Sequence, residues 1–168
     1  CATDQDQQAW VLAVLRQADP DPWRDCVRAP ATWDDPASLR KLADQAPVAE
    51  QSPQLLAALG ARLRAKKLDA VGFLERVAST YPGDFWVNVE MGNALCDQSN
   101  WSEAIGYYRT ALALRPETVA LRYILGDLYL AHQRWDGAIA EYEQAGCFEP
   151  ENAWRHNRLG FTLAWKGG

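Results

Sequence analysis

Histidine occurs only twice in this chain and methionine once, and the four cysteines (Cys1, Cys26, Cys96 and Cys147) form no CxxC pair. Zinc sites draw on clustered cysteine and histidine, so no metal is expected. The cysteines suggest no disulfide framework either, and a reducing, cytoplasmic setting is the simpler expectation. Basic residues are outnumbered, 17 against 22 acids, giving a net charge of −5 and a pI near 5.0. A nucleic-acid partner would call for a basic stripe, so none is expected. No apolar run approaches the roughly 18 residues of a membrane span. The opening CATDQDQQ lacks the basic start of a signal peptide, and a first residue other than Met suggests an excised or processed piece. Nucleotide-binding loops, GxSxG, HExxH and the dinucleotide fingerprint are all missing. His132 and His156 share no short motif with each other or with Cys or carboxylates. Neither an enzyme nor a cofactor is expected.

What the chain does have is bulk and a period. It is 48% hydrophobic and 23% charged, with eight Trp, six Tyr and four Phe, a composition that folds. The acids are uneven: residues 85–152 hold ten against four bases, an ordinary solvated face or a preference for basic partners. Five columns recur at thirty-four residues. They are Pro82, Pro116 and Pro150; Gly92, Gly126 and Gly160; Ala70, Ala104 and Ala138; Leu74, Tyr108 and Tyr142; and Val77, Ala111 and Ala145. Each period reads as two helices. Residues 85–98 form the first (A), and Asn100, with Glu103 completing a capping box, starts the second (B), which stops before Arg115-Pro116. Residues 119–152 repeat the plan. Residues 51–84 are a weaker copy opened by Ser52-Pro53, with Ala58 in the glycine column. Gly92 and Gly126 are expected where helix A approaches helix B and its Ala104 or Ala138, and Tyr108 and Tyr142 at the junction with the next repeat.

Residues 1–50 keep the period poorly. Helices over about 5–17, 21–28 and 36–46, broken by Pro30, Pro36 and Pro47, read as a degenerate repeat or cap. Residues 153–165 form a single A helix, as a cap or the first half of a further repeat, and 166–168 a flexible tail. The expected fold is all-α, a right-handed superhelical solenoid of antiparallel helix pairs with an irregular helical N-terminal cap.

Over roughly residues 51–165 these columns resemble the tetratricopeptide repeat family, whose pattern of small residue, alanine, aromatic, alanine and closing proline is met at Gly92, Ala104, Tyr108, Ala111 and Pro116 and again at Gly126, Ala138, Tyr142, Ala145 and Pro150. More narrowly, Asp21-Pro22-Trp23-Arg24, the run Tyr81 to Asn88 before GNAL, and the run Tyr107 to Pro116 resemble the repeats that follow the catalytic domain of some bacterial serine/threonine protein kinases. That likeness implies the non-catalytic arm of a signalling protein. No kinase signature is present in this chain.

The family resemblance implies a partner protein or peptide, held on inward-facing A-helix positions. Matched here, these are Trp86, Val89, Asn93, Cys96 and Asp97; then Ala120, Tyr123, Asp127, Leu130 and Ala131; then Trp154, Asn157, Arg158 and Phe161. Leu55, Leu59 and Arg62 extend the row upstream. Family members that clamp a terminal carboxylate use two lysines and an arginine with asparagines. Here Asn93 and Arg158 match, but Val89 and Ala120 stand for the lysines and Ile124 for the second asparagine, so that specificity is not expected. Trp86 and Trp154 are either groove anchors or packing between A helices, and both readings stay open. Cys96 is a small hydrophobe or a groove thiol. Trp101 and Trp135 are expected to pack turns. Trp165, on the uncovered last helix, marks an apolar patch for self-association, so a monomer or a weak homodimer is expected.

Overall fold

In a computed structural model that describes residues 4–167, the chain is all-α, with ten α-helices and no strand among the described residues. It forms two compact units, Cys1–Thr80 and Tyr81–Gly168.

The first unit holds α1 (Asp4–Ala18), α2 (Pro22–Arg28), α3 (Pro36–Asp44), α4 (Pro53–Ala65) and α5 (Val71–Thr80), with single 3-10 turns at Pro30–Trp33 and Val48–Glu50. The three expected N-terminal helices are present. Three of these helices begin alike, with proline in the first turn behind a capping side chain. Asp21 accepts from the amides of Trp23 and Arg24, Asp35 from those of Ala37 and Ser38, and Ser52 from that of Leu55. Side chains then tie the short helices together. Trp23 Nε1 donates to the Leu42 carbonyl at 2.8 Å, Trp33 Nε1 to that of Val27 at 2.5 Å, and Arg76 Nη2 to that of Ala43 at 2.6 Å. Arg24 and Arg28 both reach Asp19, at 2.8 and 2.5 Å, and hydrogen bonds from Arg24 hold its carboxyl below the usual range.

The second unit holds α6 (Phe85–Asp97), α7 (Trp101–Leu114), α8 (Val119–Ala131), α9 (Trp135–Phe148) and α10 (Ala153–Gly167). α6 packs on α7, α8 on α9 and α9 on α10, with α7 against α8 joining the pairs. Tyr108 and Tyr142 are almost completely buried, and their rings lie where a Cβ on Gly92 or Gly126 would stand, 2.7 and 2.3 Å from the nearest ring atom. The tyrosines therefore fill the seam within their own helix pair, not chiefly the junction with the next repeat. The glycines make room for a ring, not for Ala104 or Ala138, although both alanines are fully buried.

Three A helices, α4, α6 and α8, end in the same Schellman turn. In α8, Arg134 N bonds Tyr129 O at 2.8 Å and Gln133 N bonds Leu130 O at 3.0 Å, with Gln133 at φ 57°. Ser99 and Lys67 hold the matching left-handed positions, at φ 62° and 57°. Ser99 and Gln133 keep the thirty-four-residue step, but Lys67 lies only thirty-two before Ser99. The first turn of the B helix is shortened in α5, which starts at Val71, so α4 slides by two residues against it. As a result the notch glycine is Gly60, whose Cβ would meet the Leu74 side chain at 2.5 Å, and Ala58 is exposed. This overturns the placing of Ala58 in the glycine column.

The expected capping box at Asn100 does not form. Asn100 makes no side-chain cap and instead donates its amide to Glu103 Oε2 at 2.6 Å. A further column does not show in the sequence because its residue types differ. Asn88 Nδ2 and Arg122 Nη2 donate to the carbonyls of Pro82 and Pro116, both at 2.8 Å, and His156 Nε2 lies 3.0 Å from that of Pro150. Three unlike side chains thus hold the kink at each closing proline. At the C-terminal end α10 continues to Gly167, and Lys166 pairs with Asp136 instead of starting a loose tail; Gly168 lies outside the described residues.

The three column glycines differ in one respect: nothing lies within 4 Å of a Cβ on Gly160. Gly126→Ala and Gly92→Ala each force a methyl into an anchored ring and should destabilise the chain by about 1–3 kcal/mol in urea unfolding. Gly160→Ala should be neutral, or stabilising by up to about 1 kcal/mol through helix propensity.

Candidate functional site

The candidate site is the face of α6, α8 and α10 turned away from their partner helices. On α6, residues 86, 89, 93 and 97 recur at three- and four-residue steps and share one side of the helix. Trp86 is 46% exposed, with its ring edge-on to Phe85 at 5.0 Å and the Arg115 guanidinium 5.8 Å from its centroid. Val89 and Asn93 are half-buried and Asp97 is exposed. Asn93 is not a free recognition amide: its Oδ1 accepts from Tyr108 Oη at 2.7 Å and its Nδ2 donates to Glu90 at 3.3 Å. Cys96 is half-buried with its sulfur 3.6 Å from the same Tyr108 hydroxyl, so it belongs to the tyrosine seam.

On α8 the same geometry recurs. Tyr142 Oη donates to Asp127 Oδ1 at 2.6 Å, so Asp127 stands to Tyr142 as Asn93 does to Tyr108. Burial, followed by the hydrogen bond and charge of Asp127, raises the Tyr142 phenol well above its ordinary pKa of 10.0. Tyr123 is half-buried, and its hydroxyl reaches Glu149 at 3.4 Å. Ala120 and Ala131 are exposed and Leu130 is half-buried.

α8 and α10 meet through the predicted residues themselves. The Tyr123 and Trp154 rings stand edge to face at 4.5 Å, and Trp154 also meets Tyr142 at 6.3 Å. Arg158 lies 4.8 Å over the Trp154 ring and 3.5 Å from Asp127. Trp154 thus packs between neighbouring A helices and remains 39% exposed. Asn157 and Phe161 are exposed, and with Trp154 and Arg158 they line an open hollow of about 230 Å³.

The upstream extension does not hold. Leu59 is buried, and Arg62 donates to the Trp33 carbonyl and pairs with Asp34, both at 2.8 Å. The two-residue slip of α4 is the reason: its true counterparts of Asn93 and Cys96 are Ala61 and Arg64. The tryptophans at the starts of the B helices are half-buried against the ends of A helices, Trp101 on His132 and Trp135 on Trp165, each at 6.4 Å. Trp165 is still 61% exposed. Both histidines are tied to backbone, with His132 Nδ1 lying 2.8 Å from Leu128 O. Among the described residues no three His, Cys, Asp or Glu side chains gather as a metal site, and no helix is long and apolar enough to cross a membrane.

Helix pairs in series, keyed in α6–α7 and α8–α9 by a ring in a glycine notch and leaving one face of each A helix open, define a helical-repeat protein. Residues 89–151 match the model of the tetratricopeptide repeat family. A crystal structure of MamA is similar over 96% of this chain and 84% of its own, with a TM-score of 0.71 at 19% identity. YrrB, a tetratricopeptide repeat protein with an unusual peptide-binding site, is similar over 90% and 83%, with a TM-score of 0.70 at 15% identity. A tetratricopeptide repeat protein from Parabacteroides merdae matches over 95% of this chain and 60% of its own, with a TM-score of 0.65 at 16% identity. These likenesses show the fold. None of the curated proteins matches the sequence.

The Tyr142–Asp127 bond has a signature in alkali. The neutral phenol is favoured in the folded state, so its stabilisation is complete below pH 10 and is lost as the pH rises above it. Tyr142→Phe should cost about 1–2 kcal/mol at pH 7. It should also flatten the fall in stability between pH 10 and 12, read by denaturant titrations at each pH.

Proposed function

We propose that this chain is a non-catalytic scaffold that binds a peptide or protein segment along the open faces of α6, α8 and α10. One observation carries the reading: large rings stay in water on these faces although the core has buried most other apolar groups. Trp86, Trp154 and Phe161 are 46%, 39% and 50% exposed, beside the exposed amide of Asn157 and the pair Asp127–Arg158. Rigid aromatic anchors rimmed by polar groups are what binding hot spots are made of. Val89 and Asp97 extend the surface on α6. Asn93 contributes as a fixed polar edge, since Tyr108 already holds it. The resemblance of residues 21–24, 81–88 and 107–116 to repeats that follow kinase catalytic domains supports a narrower form of the proposal, an interaction arm of a larger cytoplasmic signalling protein.

Panning a random-peptide phage library against the chain tests the surface. Peptides selected by the wild type should bind Trp154→Ala at least about tenfold more weakly, the loss of one anchor. Asn157→Ala, whose side chain is exposed, should weaken binding about threefold with no change in circular dichroism. Unchanged affinity in both variants would remove the surface from consideration.

A second reading, self-association through α10, is favoured by the exposure of Leu163 and Trp165, 51% and 61%. Light scattering should then report a mass above one chain at high concentration that falls to one chain in Trp165→Ser. A wild-type chain that stays monomeric would discard it.

A further inference from the structure

In the first compact unit, apart from the surface just described, α2, the Pro30–Trp33 turn and α3 enclose an open cleft of about 420 Å³. That is within the size range of small-ligand pockets, roughly 300–1,000 Å³. Its apolar side is Pro22, Trp23 and Leu42. The Trp23 ring is locked in place, because its only donor is committed to the Leu42 carbonyl at 2.8 Å and Asp21 caps the helix beneath it. It therefore offers the cleft an apolar ring with no polar demand of its own. Ser38 and Lys41 on α3 and Gln45 at its C-cap follow at steps of three and four and so form one stripe along the other side.

The charge of this lining is one-sided. Among the described residues of the lining Lys41 is the one ionised group, exposed at the rim one helical turn from the Gln45 amide. Of the acids next to the lining in sequence, Asp35 is engaged as the cap of α3, accepting from the Ser38 amide at 2.8 Å and from its hydroxyl at 2.5 Å, Asp25 pairs with Arg28 at 3.1 Å, and Asp44 is exposed but not among the lining residues. An apolar floor beneath a cation and an amide donor calls for an apolar body with a negative end.

We propose that this cleft binds a small apolar carboxylic acid, with its hydrocarbon part against Trp23 and Leu42 and its carboxylate between the Lys41 ammonium and the Gln45 amide.

Cys26 supplies the readout. Its thiol is free, exposed and on the cleft wall, whereas Cys147 is free and exposed in the other unit. Alkylation of each thiol in the full chain is followed by peptide mass spectrometry, with 2-naphthoate as probe. Saturating 2-naphthoate should slow Cys26 at least about fivefold and leave Cys147 unchanged. The uncharged 2-naphthalenemethanol should need about tenfold higher concentration for the same protection. Lys41→Met, at an exposed helical position, should shift the naphthoate dependence about tenfold with unaltered circular dichroism. No protection of Cys26, equal protection by the alcohol, an undiminished effect in Lys41→Met, or equal slowing of Cys147 would each overturn the proposal.

Discussion

The second unit rests on one steric arrangement, a tyrosine ring from each B helix lying where the facing A helix has no side chain. Gly92 and Gly126 leave the space, and Tyr108 and Tyr142 occupy it with almost no surface in contact with water. A buried ring removes a large apolar area from water, and the missing Cβ allows the two backbones to approach at the same time. Each ring also carries a hydroxyl that must find a partner once buried, and the residue after each glycine supplies it. Where that residue is apolar, at Gly60-Ala61, the filling side chain is Leu74, which needs no partner. Ring, notch and acceptor act as a set.

This set shapes the open face of the A helices. Because Tyr108 and Tyr142 hold Asn93 and Asp127 from beneath, those side chains keep a fixed orientation at the surface and lose part of their capacity to bond elsewhere. Asp127 in turn holds Arg158, which lies over Trp154, which stands against Tyr123. A chain of contacts therefore runs from a buried tyrosine to an exposed ring on the last helix. Such preorganisation lowers the entropy cost of binding, which supports the proposed use of the rings as anchors beside a fixed polar edge.

Much of this was legible because the period is strict. Columns at thirty-four residues located six helices, and Ser52 before Pro53 located the start of α4. What stayed hidden had a local physical cause. The two-residue shortening before α5 left its own columns at Ala70, Leu74 and Val77 in step and displaced only α4, so a count on those columns pointed to Ala58. The polar column of Asn88, Arg122 and His156 does not show as a repeat of like residues, because three different side chains lie against one carbonyl position. Asn100 has the right identity for a cap, but its amide is drawn to Glu103. Of the candidate site, the pattern located the A-helix positions but not their partners: it could not tell that Asn93 is engaged, or that Trp154 both packs and faces water.

The sequence by itself determined an all-α repeat, the notches at Gly92 and Gly126 and the absence of metal-site and nucleotide-binding motifs, because periodic small and aromatic residues encode packing between neighbours in the chain. Tertiary structure decided which polar groups remain available and where Trp165 goes, and it revealed that α2 and α3 form a cleft. Those properties depend on side-chain distances between packed helices, and a thirty-four-residue rhythm does not specify them.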